Sequence, residues 1–135
     1  KGSKPINGVM EFLKWAKAKN IAMAVCTNKQ ESLAVDLLKK LKMYEYFEYV
    51  AGSDTFSFNK PDPRHLTNVV EIIQGSLKKT IMVGDSEVDG MSAENAKIPF
   101  VLIKDGYTEK STKEIKHNEL IEDFKNFDKI IEKYL

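Results

Sequence analysis

Apolar positions recur along this chain in two rhythms. Over residues 9–19 (VMEFLKWAKAK), Val9, Phe12, Leu13 and Ala16 fall at helical spacing, which predicts a helix with Asn7 as candidate N-cap. Residues 21–26 (IAMAVC) form a continuous apolar run of strand length. Helical period returns over residues 30–43 through Leu33, Val35, Leu37, Leu38 and Leu41, and residues 49–53 read as a weaker strand.

The second half repeats the alternation. Residues 63–75 predict a helix, with Asp62 as cap and Pro63 at the first helical position, where its missing N–H costs nothing. Residues 80–84 (TIMVG) are the clearest buried strand. A short helix over 87–97, a strand over 99–103 (PFVLI), a further strand near 119–123 and a closing helix over 125–134 complete the reading. The polar stretch 104–118 reads as a surface loop with some helix. Short apolar strands alternating with helices imply a parallel sheet covered on both faces. Residues 1–135 thus read as a single α/β domain of the doubly wound type.

Composition narrows this picture. At 135 residues the chain is the size of one domain, and 42% hydrophobic with 30% charged residues suits a soluble globular protein. No apolar run approaches the roughly 18 residues of a membrane helix. A net charge of +1, with scattered lysines and Arg64 as the only arginine, argues against nucleic acid as partner. The single cysteine, Cys26, cannot form an internal disulfide, which points to a reducing cytoplasm. The chain opens on Lys1 and runs straight into a helix, so it reads as the back portion of something longer.

In an open parallel sheet, ligands bind outside the carboxyl ends of the strands. After the first strand come Thr27, Asn28 and Lys29; beyond the second, a loop leads to Lys60 and Pro61; after the third comes Gly84-Asp85-Ser86-Glu87-Val88-Asp89. A hydroxyl, an ammonium and two carboxylates therefore share one sheet edge. Phosphoryl transfer needs donors and cations in place where charge spreads over the phosphate oxygens. Thr27 supplies a hydroxyl donor, Lys60 a point charge, and Asp85 and Asp89 the hard oxygen ligands that magnesium prefers.

Each piece also has a plain structural reading. Asn28 with Glu31, and Ser86 with Asp89, both fit helix capping boxes, and Lys60 fits a solvated loop lysine. The order of the three blocks, each after a strand, is what capping and solvation leave unexplained. His65 in a first helical turn, His117 in a polar loop, Trp15 on an apolar helix side and Cys26 in an apolar strand read as structural.

The blocks AVCTNK (24–29), KPDP (60–63) and VGDSEVD (83–89) resemble the haloacid dehalogenase superfamily, and within it the phosphoglycolate phosphatase group. The resemblance runs from about residue 5 to the C-terminus. It implies a Rossmann-like three-layer sandwich with a mostly parallel sheet. It further implies that Thr27 and Asn28 bind the phosphoryl group, that Lys60 holds that group and the nucleophile, that Asp85 binds Mg2+, and that Asp89 supports the metal site. A small phosphorylated metabolite is the implied substrate.

The family's first motif, an Asp-x-Asp pair after a first strand, does not occur: no two aspartates of the chain stand two residues apart. In the family that pair supplies the nucleophile and the general acid/base. The helical cap that follows it is absent too. The sheet is therefore expected to be incomplete at its centre, between the strands at 21–26 and 80–84. Either those two strands pair with each other, or another chain or the missing N-terminal segment fills the gap. The isolated chain is expected to lack phosphatase activity. The alternative is a non-catalytic binding or regulatory domain that keeps the fold. A receiver-type signalling domain is disfavoured, because its acidic residues precede its Lys-Pro loop.

Overall fold

The computed structural model describes residues 6–104 and 114–134. Its strands are β1 (Ala24–Cys26), β2 (Tyr49–Ala51), β3 (Met82–Gly84), β4 (Phe100–Ile103) and β5 (Glu119–Ile121). Its helices are α1 (Val9–Ala18), α2 (Glu31–Lys40), α3 (Arg64–Ile72), α4 (Glu87–Ala96) and α5 (Phe127–Glu132). Every strand and helix expected from the apolar rhythm is present, and most of the polar stretch 104–118 lies outside the described residues.

The strands form two parallel ladders, β1-β2 and β3-β4-β5. Val25 stands opposite Val50 in the first; Val83 opposite Val101 and Leu102 opposite Leu120 set the register of the second. β4 shows why the second ladder is a core. Its residues alternate between faces: Val101 and Ile103 join Ile121, Phe127 and Ile131, with Phe12 and Trp15 packed against them, while Phe100 and Leu102 join Leu66, Ala93 and Ile98. Helices α1 and α5 thus cover one face, and α3 and α4 the other.

Among the described residues β1 and β3 do not pair with each other, so that route to closing the sheet is not taken. Met23 C=O accepts from Glu48 N–H, just before β2, at 2.8 Å, and Thr27 N–H donates to Ala51 C=O of β2 at 2.9 Å. Alternation then turns the main-chain groups of Ala24 and Cys26 toward the gap. On β3, Met82 N–H bonds to Pro99 C=O at 2.9 Å, which turns Ile81 and Val83 toward the same gap. Both strands are only half-buried, whereas every residue of β4 is buried.

Several local expectations are corrected. Gly8, at φ 83°, occupies the cap position of α1, so Asn7 is one residue too early; its carbonyl accepts from Phe124 N–H instead. The N-cap of α2 is Gln30, and no capping box forms between Asn28 and Glu31. The buried stripe of α2 is Ala34 and Leu38, while Leu33 is 56% exposed. That helix covers only two strands, so its apolar face is narrow. At α3 the regular helix begins at Arg64, yet Pro63 is already helical (φ −64°, ψ −20°) and Asp62 Oδ1 accepts from Arg64 N–H at 2.9 Å. The capping chemistry expected of Asp62 is therefore in place.

Candidate phosphoryl-transfer site

Lys60 draws the three sequence blocks together. Its side chain is only 8% exposed, and its ammonium donates to Cys26 C=O at 2.9 Å, on the inner edge of β1, and to Asp89 Oδ1 in α4. An ammonium has three donors, so one is left for an incoming acceptor. The loop around it is pinned from both sides: Asn28 Nδ2 donates to Lys60 C=O at 3.2 Å and Asn95 Nδ2 to Pro61 C=O at 3.3 Å. The Lys60–Pro61 peptide is cis.

Asp89 is buried and both of its oxygens are engaged. Oδ1 meets Lys60, and Oδ2 accepts from Asp85 N–H at 3.2 Å. Ser86 caps α4 through Oγ, which accepts from Asp89 N–H at 3.2 Å. Only this half of the expected capping box forms, because the Asp89 carboxylate reaches past Ser86 to Asp85. Gly84 makes that reach possible: a Cβ at this position would lie 2.4 Å from Asp89 Oδ2.

Asp85 lies at the exposed end of β3 with no hydrogen bond from another described side chain. Partial desolvation raises its pKa, and the negative charge of Asp89 raises it further. Thr27 Oγ1 accepts from Lys29 N–H at 3.1 Å, which leaves its own hydroxyl proton free to donate. Burial lifts the Cys26 thiol to about 11, so it stays protonated beneath Lys60 and is no nucleophile. The five site residues thus share one edge: Asn28, Lys60, Asp85 and Asp89 through a chain of hydrogen bonds, and Thr27 directly after β1.

Some contributors have no sequence signature. Asp54 Oδ1 accepts from Glu31 N–H at 2.9 Å, capping α2 from a loop 23 residues away. Thr55 Oγ1 accepts from Gly52 N–H and donates to Glu31 Oε1, both at 2.8 Å. These contacts tie the loop after β1 to the loop after β2. A capping residue so remote in the chain leaves no spacing to read.

The sequence matches the family described as haloacid dehalogenase-like hydrolase over residues 1–103. The chain belongs to this family. A phosphoglycolate phosphatase of Agrobacterium fabrum is 42% identical over 122 residues, covering 90% of this chain and 52% of the relative. One from Mesorhizobium japonicum is 38% identical, covering 90% and 54%. The chain therefore spans about half the length of the curated relatives it matches. Among solved structures, a predicted phosphoglycolate phosphatase from Haemophilus somnus superposes with a TM-score of 0.87 at 25% identity, over 93% of this chain and 56% of that one. A haloacid dehalogenase-superfamily hydrolase of subfamily IA from Geobacter sulfurreducens gives 0.79 at 28% identity, over 93% and 60%. The α/β architecture is accordingly that of the haloacid dehalogenase-like core.

The metal that family membership implies can be weighed against the donors present. No group of three His, Cys, Asp or Glu side chains able to hold a metal converges among the described residues. Magnesium, however, is commonly held by one or two carboxylates with waters and phosphate oxygens, without an all-protein cage. Asp85 fits as one such ligand, since a cation offsets both the desolvation and the Asp89 repulsion that raise its pKa. Asp89, with both oxygens committed, fits as the residue that fixes the Asp85 main chain.

An open groove of about 510 Å³ lies elsewhere, lined by Phe12 and Trp15 of α1 and by Phe124 and Lys125 before α5. None of the five site residues lines it. No helix among the described residues is long and apolar enough to cross a membrane.

Proposed function

We propose that this chain is the carboxy-terminal core of a magnesium-dependent phosphomonoester hydrolase, acting on a small phosphorylated acid such as phosphoglycolate. The observation that carries this reading is the buried Lys60 ammonium, bonded to β1 and α4 with one donor to spare. Thr27 Oγ–H and the free N–H of Lys60 bind equatorial phosphoryl oxygens, and Lys60 offsets the charge they gain in the transition state. Asp85 holds the magnesium, which when bound supplies charge neutralisation and orients the ester. Asp89 holds Lys60 in position.

The attacking group comes from outside these 135 residues. A carboxylate at the end of a strand set between β1 and β3 attacks phosphorus, and the ester oxygen leaves with a proton from a second acid. Water then attacks the aspartyl-phosphate, returning the carboxylate and releasing phosphate. Supporting this are the two half-buried strand edges that flank the gap. The substrate class rests on the names of the relatives.

A second reading, a non-catalytic binding domain, draws on the absence of any Asp-x-Asp pair from the chain. Phosphate release from phosphoglycolate with magnesium separates the two. The 135-residue chain alone is expected to release none. The chain joined to an apolar strand ending in Asp-x-Asp is expected to turn over, and to stop when Lys60→Met is introduced. Turnover by the chain alone would refute the inactivity, and silence from the completed protein would refute the phosphatase reading.

A further inference from the structure

His65 is fully buried, and neither the proposed chemistry nor the family motifs use it. It stands in the first turn of α3, shortly after the loop that carries Lys60. Its Nε2 lies 3.1 Å from the carbonyl oxygen of Gly52, the residue at which the chain leaves β2. A carbonyl only accepts, so Nε2 carries the proton. Nδ1 is buried and has no hydrogen-bond partner among the described residues.

The imidazole therefore ties together the two ends of the segment from Ser53 to Pro63. Inside that span the packing radiates from the same ring. Phe56 meets it edge-on, with centroids 5.5 Å apart, and Phe58 stacks on Phe56 at 5.5 Å. The Arg64 guanidinium lies 4.3 Å from the centre of Phe58, and it also pairs with Asp62. Gly52 lies close against the start of α2, where an added Cβ would stand 2.3 Å from the main-chain nitrogen of Glu31.

We propose that His65 is a positioning residue for Lys60: the Nε2–H···O=C bond to Gly52 closes the loop, and loop closure sets the ammonium between β1 and α4. The orphaned Nδ1 fits this role. A buried polar atom without a partner is costly, and it is offset here by the donor that imidazole supplies at Nε2 together with a flat face for Phe56. The inference rests on the phosphatase reading only for its catalytic consequence. The experiment reads where Lys60 sits and not turnover, so failure of that reading would leave it standing.

The test is competitive acylation of lysines with mass-spectrometric readout, using exposed Lys116 as internal reference. In the unsubstituted chain Lys60 is expected to label far more slowly than Lys116. His65→Leu is expected to raise Lys60 labelling about tenfold, the weight of one buried hydrogen bond, and to leave Lys14 and Lys129 unchanged. His65→Gln, whose amide N–H reaches the same carbonyl, is expected to keep Lys60 protected. Ile131→Val controls for general loosening, since it acts on the far face of the sheet. Lys60 protection that survives His65→Leu, or is lost in His65→Gln, overturns the proposal. Should His65→Leu not fold, His65→Gln still decides, as does 15N NMR of the imidazole. A proton on Nε2 supports the clamp, and a proton on Nδ1 removes it.

Discussion

Truncating Lys60 leaves Asp89 as a buried carboxylate with no cation. Breaking a buried pair from one side costs about 3–5 kcal/mol. Lys60→Met is therefore expected to lower chain stability by that order, and Lys60→Met with Asp89→Asn to recover much of it, measured as a double-mutant cycle in urea. Asp85 behaves in the opposite way. Its folded pKa lies above the ordinary 3.8, so the folded state binds more protons than the unfolded one and loses stability as pH rises through that range. Asp85→Asn is expected to raise the urea midpoint at neutral pH and to weaken magnesium binding, measured by titration calorimetry on the completed protein. For His65, burial holds the folded pKa below its ordinary 6.5. Below that value the unfolded chain binds more protons, so stability falls as the medium acidifies and His65→Gln flattens the slope. Urea midpoints between neutrality and the carboxylate range measure this. Thr27, Lys60, Asp85 and Asp89 were legible from sequence because each stands directly after a strand or in a fixed motif. His65 was readable only as structural, since its partner is a main-chain oxygen 13 residues away.

Among elements, periodicity worked best where both faces of a strand or a whole helix stripe are covered. β4 is buried at all four residues, whereas 80–84, read as the clearest buried strand, holds a β3 that is only half-buried because it borders the gap. Helix α1 buries Val9, Leu13 and Ala16 as its spacing implies. It failed at α2, where Leu33 faces solvent, because apolar content says nothing about how many strands lie beneath a helix. The two cases predict different sensitivities. Leu102→Ala, fully buried between β4 and two helices, is expected to cost about 2–5 kcal/mol. Leu33→Ala is expected to stay within about 0.5 kcal/mol. Thermal or urea unfolding of the two variants checks both figures.

At the scale of the whole molecule, the two ladders face each other across a space that no described strand occupies. The gap agrees with the expectation, drawn from the missing Asp-x-Asp motif, that the sheet is incomplete between β1 and β3. The sequence did not foretell that β1 and β3 would keep apart, with Lys60 bonded to Cys26 C=O of β1 on one side and to Asp89 of α4 on the other. A segment that binds the folded form alone stabilises it by about 2.7 kcal/mol at a hundredfold excess over its dissociation constant. An extended apolar peptide ending in Asp-x-Asp, added in trans, is expected to raise the unfolding temperature and slow amide exchange in β1 and β3. A scrambled peptide is expected to do neither.

Position 84 shows how narrow the tolerances are. The Asp89 carboxylate lies where any side chain on the preceding strand end would have to stand, with its own Cβ 2.5 Å from the hypothetical methyl. Alanine there acts as a wedge: it pushes the acid off its lysine through covalent bulk alone, with every charge still present. The spacing of charges in this pocket is thus enforced by an atom the backbone leaves out.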